Sequence, residues 1–231
     1  MRFDLLTVAL LVLREDAPPL DEEAAAALQD SHMAYNADLH ESGDLLAAGP
    51  LSDERYRGLG VWRAEPERVQ ALRERDPAVR AGRLSAVLLR WMVPSDIVRF
   101  TPTRLPRSTA EVARGEVGLD RFTLTVLTLR PDAPPLDERA WSALQDAHLA
   151  YVADLHAAGH VLVAGPLRHD ALRELSIWGL DPEQVRTRAA ADPSVREGRL
   201  MPRVMPWLVP NGAVSFSTGP MPRSMAEAAY E

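Results

Sequence analysis

The spacing of apolar residues changes several times along the chain, and each change predicts an element. Leu5–Leu13 is a short run rich in Leu and Val, bounded by Asp4 and by Asp16–Pro19, and reads as a strand buried on at least one face. The apolar spacing then lengthens. Ala24, Leu28, Tyr35 and Leu39 share one helical face. The helix is predicted to start at Asp21, a good N-cap, with Glu22 and Glu23 in the first turn, and to run to about Ser42, before Gly43. Leu45–Ala48, ended by Gly49–Pro50, and Gly58–Arg63 read as two short strands. Pro66 opens a second helix through about Arg75. Asp76–Pro77 repeats that start signal for a short turn closed by Gly82, and Leu84–Val93 is a strand ended by Pro94. The order β-α-β-β-α-β is the ferredoxin-like arrangement.

The whole pattern then recurs. Displaced by about 116 positions, the chain matches itself without a gap, with roughly half of the positions identical. R-x-D-A-P-P-L-D-E occurs at Arg14–Glu22 and Arg130–Glu138, A-G-P-L at Ala48–Leu51 and Ala164–Leu167, and D-P-x-V-R-x-G-R-L at Asp76–Leu84 and Asp192–Leu200. Two domains are expected, residues 1–116 and 117–231. Each ends in an arm, about 95–116 and about 211–231, that is rich in Pro, Ser, Thr and Arg and carries a short helix near Thr109–Arg114 in the first copy. The second arm has nothing to connect, so the arms are expected to pack on a domain. Duplicated domains commonly pair as a pseudo-dimer. The fold class expected is α+β, two tandem ferredoxin-like βαββαβ domains closing an intrachain dimeric α+β barrel, with a further homodimer left open.

Composition narrows the chemistry. The chain is 46% hydrophobic and 26% charged, which suits a globular protein. Its net charge of -7 weighs against nucleic acid as a partner. There is no Cys, which excludes disulfides, thiolate metal sites and thiol nucleophiles. All 26 Lys and Arg residues are Arg, which excludes a Schiff-base or P-loop lysine. Asp4 interrupts Met1–Leu13, its apolar run Leu5–Leu13 is too short to span a bilayer, and the pattern returns at Asp120–Leu129. It is therefore read as a strand rather than a signal, with no membrane partner and a cytoplasmic location expected.

A His on the first helix (His32), a helix-ending Gly (Gly43), L-x-A-G-P (Leu46–Pro50) and D-P-x-V-x-x-G (Asp76–Gly82) follow in order. His148, Gly159, Leu162–Pro166 and Asp192–Gly198 repeat them. In this order and spacing the chain resembles the YCII-related family over nearly all of each unit except the arm. The resemblance implies a ferredoxin-like domain that pairs into a dimeric α+β barrel, with a His and an Asp at the site. It also implies enzymes in the family, one related branch of which carries out dehydrochlorination.

His32 and His148 are the candidate general acid/base groups. The plain alternative is a core imidazole bonded to a carbonyl. Asp76 and Asp192 are the candidate partners, and Asp before Pro is also a good N-cap. Asp38 and Asp154 point to the opposite helix face and are expected in solvent. His40 and His156 lack i, i+4 metal spacing and fit helix ends near the negative dipole. No metal and no cofactor are expected. Tyr35 and Tyr151 either line the pocket or pack in the core. Gly49, Pro50, Gly165 and Pro166 suit either a close ligand approach or a plain turn. Arg57 and Arg173 suit either a bound carboxylate or phenolate, or an exposed salt bridge. Trp62, Trp178, Trp91 and Trp207 fit core or interface packing. The copies differ at Asp53/His169, Asp44/His160 and Ser31/Ala147, so two sites are expected to differ. The functional expectation is a cofactor-free lyase or isomerase acting on a small cyclic or aromatic polar molecule. A non-catalytic small-molecule-binding module is the alternative, and a haem enzyme of the wider barrel group a third.

Overall fold

A computed structural model of the chain describes residues 1–228. The last three residues of the second arm thus lie outside the described residues. The first unit contains β1 (Phe3–Leu13), α1 (Glu22–Glu41), β2 (Leu45–Pro50), β3 (Tyr56–Trp62), α2 (Pro66–Arg73), α3 (Pro77–Arg80) and β4 (Leu84–Pro94). Its arm adds β5 (Val98–Phe100) and α4 (Thr109–Ala113). The second unit repeats this as β6 (Leu119–Leu129), α5 (Glu138–Ala157), β7 (Val161–Pro166), β8 (Leu172–Trp178), α6 (Pro182–Ala191), α7 (Pro193–Arg196) and β9 (Leu200–Pro210). Its arm adds β10 (Val214–Phe216) and α8 (Met225–Ala228). The local signals act as their chemistry dictates. Asp21 accepts from Ala24 N at 2.8 Å and Asp137 from Ala140 N at 2.8 Å, satisfying helix-start donors. Gly43, just past α1, has φ +82°, which glycine adopts without strain.

Each unit is a four-stranded antiparallel sheet, in the orders β2-β3-β1-β4 and β7-β8-β6-β9. Alternation along β1 separates two cores. Val8, Leu10 and Val12 join Leu124, Val126, Leu175 and Ile177 in a core shared by the units. Ala9 instead packs with Ala37, Leu39, Leu45, Trp62 and Val69 beneath the helices. The sheet edges meet across the units. Ser52 N donates to Pro206 O at 3.1 Å and Arg168 N to Arg90 O at 3.0 Å, beside the bridges Leu51–Trp207 and Trp91–Leu167. Closing eight strands in this way covers the edges that an open sheet exposes. Trp91 and Trp207 are fully buried in this shared core, and Trp91 Nε1 donates to Leu175 O at 3.1 Å. Among the described residues no helix is long and apolar enough to cross a membrane.

The arms do more than run extended. Each contributes a strand that the sequence pattern did not predict, and β5 pairs with β10, Val214 opposite Phe100. The first arm then returns over α1. Arg107 pairs with Asp38 and, at 3.0 Å, with Glu41, and Thr109 N and Oγ1 both donate to Asp30 Oδ1 at 2.8 Å. Asp38 is exposed as expected, and it also anchors the arm. His40 is more than a helix-end charge. Its Nδ1–H donates to Leu45 O at 2.8 Å, and Nε2 accepts from Thr103 N at 3.2 Å. His156 likewise lies 2.9 Å from Val161 O and 2.8 Å from Gly219 O, holding the second arm.

The seam explains two glycines. A Cβ on Gly49 would overlap the backbone carbonyl of Leu208, and one on Gly165 that of Met92. Backbone cannot yield as a flexible side chain can, so Gly49→Ala or Gly165→Ala forces the sheet edges apart. Overpacking of this kind costs about 2 kcal/mol. Each variant is expected to lower the melting temperature by about 4–8 °C. An unchanged melting temperature in either would mean that the seam does not constrain that position.

Candidate functional site

α1 carries His32 to the start of α3, where Asp76 is fully buried and His32 is 9% exposed. His32 Nδ1 lies 2.8 and 2.9 Å from the two carboxylate oxygens of Asp76. Asp76 also accepts from Ala78 N at 2.9 Å, so the helix cap and the histidine partner are the same carboxylate. Arg73, at the end of α2, donates from one terminal nitrogen to Asp76 Oδ2 at 3.0 Å and from the other to Asn36 Oδ1 at 2.8 Å. That second bond fixes the Asn36 amide, whose Nδ2 donates to His32 Nε2 at 2.9 Å. The chain of bonds assigns the neutral tautomer, with Nδ1–H on Asp76 and a lone pair on Nε2. Burial pushes the Asp76 carboxyl upward. The hydrogen bond from His32, the Arg73 charge and the Ala78 N–H outweigh it and hold Asp76 below its ordinary value. Burial lowers the Arg73 guanidinium, against the charge of Asp76. Arg73 also lies 4.8 Å over the Trp62 ring.

A cavity of about 340 Å³ opens over this cluster. His32, Asn36 and Arg73 supply polar groups, and Ala9, Leu11 and Leu45 form an apolar floor from β1 and β2. The first arm closes one side through Leu105, Pro106, Thr109 and Val112, and the second unit another through Leu119, Leu208 and Pro210. Arg57 stands at the cavity and is itself exposed.

The second unit keeps the dyad and loses the space. His148 Nδ1 lies 2.8 Å from Asp192 Oδ2, and Asp192 caps α7 through Ser194 N at 2.8 Å. Position for position, however, Gly58 is replaced by Glu174, Asn36 by Val152 and Arg73 by Ala189. Glu174 reaches inward from β8 and places Oε2 2.7 Å from His148 Nε2. The space left there is about 10 Å³. Burial works to lower the His148 pKa, but two carboxylates overcome it and push it up to about 10. This imidazolium is held between its carboxylates and is not poised to exchange protons near neutrality.

The sequence-predicted residues thus divide. In the first unit His32, Gly49, Pro50 and Arg57 line the cavity, and Asp76 lies behind His32. Tyr35 does not line it, because its hydroxyl donates to Leu72 O at 2.7 Å beneath α2. Tyr151 also gives its hydroxyl to a carbonyl, Arg188 O at 2.9 Å, while bordering the small space left in the second unit. Gly165, Pro166 and Arg173 border no space over His148, and Arg173 leans on the carbonyls of His169 and Asp170. The copy differences noted first lie away from the cavity. Asp53 pairs with Arg203 across the units at 2.8 Å, and Asp44 pairs with Arg68 at 2.7 Å. Sequence reasoning missed Asn36, Arg73 and Gly58/Glu174. The available signal was polarity, since each is a polar-for-apolar exchange between the copies.

Residues 8–92 match the model of the YCII-related domain, so the first unit is a YCII-related domain, and the second repeats its fold. No curated protein matches the chain. Among solved structures, the chain is similar to a protein provisionally named a chlorite dismutase, with TM-score 0.52, 9% identity, and coverage of 89% of this chain and 94% of that one. It is also similar to two variants of the chlorite dismutase of Candidatus Nitrospira defluvii. Their TM-scores are 0.50 and 0.51, each at 13% identity over 89% of this chain and 90% of theirs. At such identities the likeness concerns the fold, two ferredoxin-like units forming an α+β barrel.

The His148 shift has a consequence for stability. Its value in the folded chain lies above the ordinary 6.5, so the native state keeps a proton that the unfolded chain releases as pH rises. The stability contributed is complete below pH 6.5 and is lost as pH climbs toward about 10. Urea midpoints of the natural chain should therefore fall from pH 6 to pH 9.5. Glu174→Gln, which leaves only Asp192 to hold the charge, should flatten that fall. Parallel profiles for the two proteins would show that Glu174 does not hold the proton.

Proposed function

We infer, from a YCII-related domain with an open cavity joined to a copy whose cavity is filled, that the first unit carries the activity. The reading is a cofactor-free lyase or isomerase acting on a small cyclic or aromatic polar molecule. The observation that carries it is the contrast between the units: about 340 Å³ stands over His32, and about 10 Å³ remains in the second unit, where Glu174 occupies His148. A volume of that size lies at the low end for small-ligand pockets. Asp76 holds the His32 tautomer that leaves the Nε2 lone pair as base, and it balances the imidazolium formed when that nitrogen takes a proton. Arg73 keeps Asn36 oriented on Nε2 until a ligand group replaces the amide. A haem fits this geometry poorly, because His32 Nε2 faces Asn36, His148 Nε2 faces Glu174, and both Nδ1 atoms face carboxylates.

A second reading, a non-catalytic binding module, is favoured by one observation: both nitrogens of His32 already have partners. The readings separate in D2O. A panel of small cyclic and aromatic hydroxy compounds and lactones is incubated with the chain, and NMR follows deuterium entering carbon positions. Exchange is expected with the natural chain. It should fall at least about a hundredfold in His32→Gln, the usual contribution of a general acid/base, and persist in His148→Gln. Binding without exchange would leave the module reading in place.

A further inference from the structure

The copies differ at the spot where a ligand would meet the histidine, and the second unit has put a carboxylate there. Glu174 enters from β8 with its oxygen 2.7 Å from His148 Nε2. In the first unit the same backbone position is Gly58, which lines the cavity. The groups around the vacated spot suit an anion. Arg73 and Arg57 line the cavity, and no Asp or Glu does among the described residues. Arg73 is 3% exposed, and its Nε finds no hydrogen-bond partner among the described residues. A buried donor left without an acceptor is costly. A second such donor lies close by. Trp62 Nε1 has no partner among the described residues and sits 3.0 Å from where a Cβ on the cavity-lining Gly60 would be. In the second unit Ser176 stands at that place and accepts from Trp178 Nε1 at 3.0 Å.

We propose that the cavity over His32 takes a small molecule with a carboxylate on an apolar body, the carboxylate seated where the second unit holds that of Glu174. This rests on the reading of the cavity as the ligand site and names its ligand class. His32 takes up a proton as the carboxylate binds, so that Nε2–H, the Asn36 amide and Arg73 donate to it, while Ala9, Leu11, Leu45, Leu105 and Leu208 enclose the apolar part. The second unit is the first with its ligand's carboxylate built into the chain.

The test uses benzoate and cyclohexanecarboxylate against benzamide and cyclohexanemethanol on the full chain, read by calorimetry and by the imidazole NMR signals. The carboxylates are expected to bind at least tenfold tighter than the neutral probes, to shift His32 and to leave His148 unmoved. Gly58→Glu transplants the Glu174 plug. A Cβ there meets only ordinary contacts, Gly49 O and Leu11 Cδ1 at 3.4 Å, so the variant should fold and lose carboxylate binding at least tenfold. Neutral probes binding as tightly as the carboxylates would overturn the ligand class and leave the cavity as a site. Carboxylates that never move His32 in the unmodified chain would overturn it without recourse to any variant. So would a folded Gly58→Glu chain that still binds them. A carboxylate with an acidic C–H that binds but never exchanges in D2O would leave this inference standing and remove the acid/base role of His32.

Discussion

A carboxylate buried to zero exposure must be compensated, and the architecture around each site follows from how that is done. Asp76 begins α3, so its place is set by the Asp-Pro cap, and the cap takes up only part of its accepting capacity. A buried carboxylate with lone pairs to spare draws donors from other elements, since leaving it bare costs several kcal/mol. α1 supplies His32 and α2 supplies Arg73, so three separate helices are tied at one atom group. That tie sets the orientation of the imidazole, and the imidazole is what gives the cavity its chemistry.

The second unit inherits the same cap and answers it differently. Without an arginine at Ala189, the positive charge must come from His148, and an imidazole buried beside one carboxylate is only partly held in that form. Glu174 completes the arrangement, raising His148 to about 10 and filling the space above it. One substitution therefore does two things at once: it stabilises a charged core and closes a pocket. Polar triads of this kind hold a fold together well when every member is satisfied, and they are poor catalysts, because the proton has nowhere to go.

Much of this was legible in the sequence, for physical reasons that differ by scale. Element order and helix starts were readable because caps, glycine stops and apolar periods are local and duplication printed them twice, whereas the His32–Asp76 pair, 44 residues apart, came from the resemblance to the YCII-related family. The seam was less legible. Gly49 and Gly165 looked like turn residues or ligand approaches, and only the opposing carbonyls of Leu208 and Met92 show why no side chain fits. Tyr35 shared the helical face of Leu28 and Leu39, yet a carbonyl on α2 captures its hydroxyl, which a one-dimensional pattern does not reveal. The arms' strands were illegible because three residues pairing across two distant segments leave almost no periodic trace.

Joining the copies in one chain is what permits the asymmetry. In a dimer of identical subunits, a glutamate that plugged one site would plug both. Here the positions that both copies share are those each barrel half needs: the caps at Asp21 and Asp137, the seam glycines, and the tryptophans Trp91 and Trp207 of the shared core. The positions that differ at Asn36, Gly58 and Arg73 form one connected cluster around a single imidazole, and all three change together in the direction that trades an open, arginine-lined space for a filled, carboxylate-lined one. Around a single imidazole these three exchanges turn an open cavity into a filled one, an asymmetry that two copies in one chain permit and two identical subunits do not.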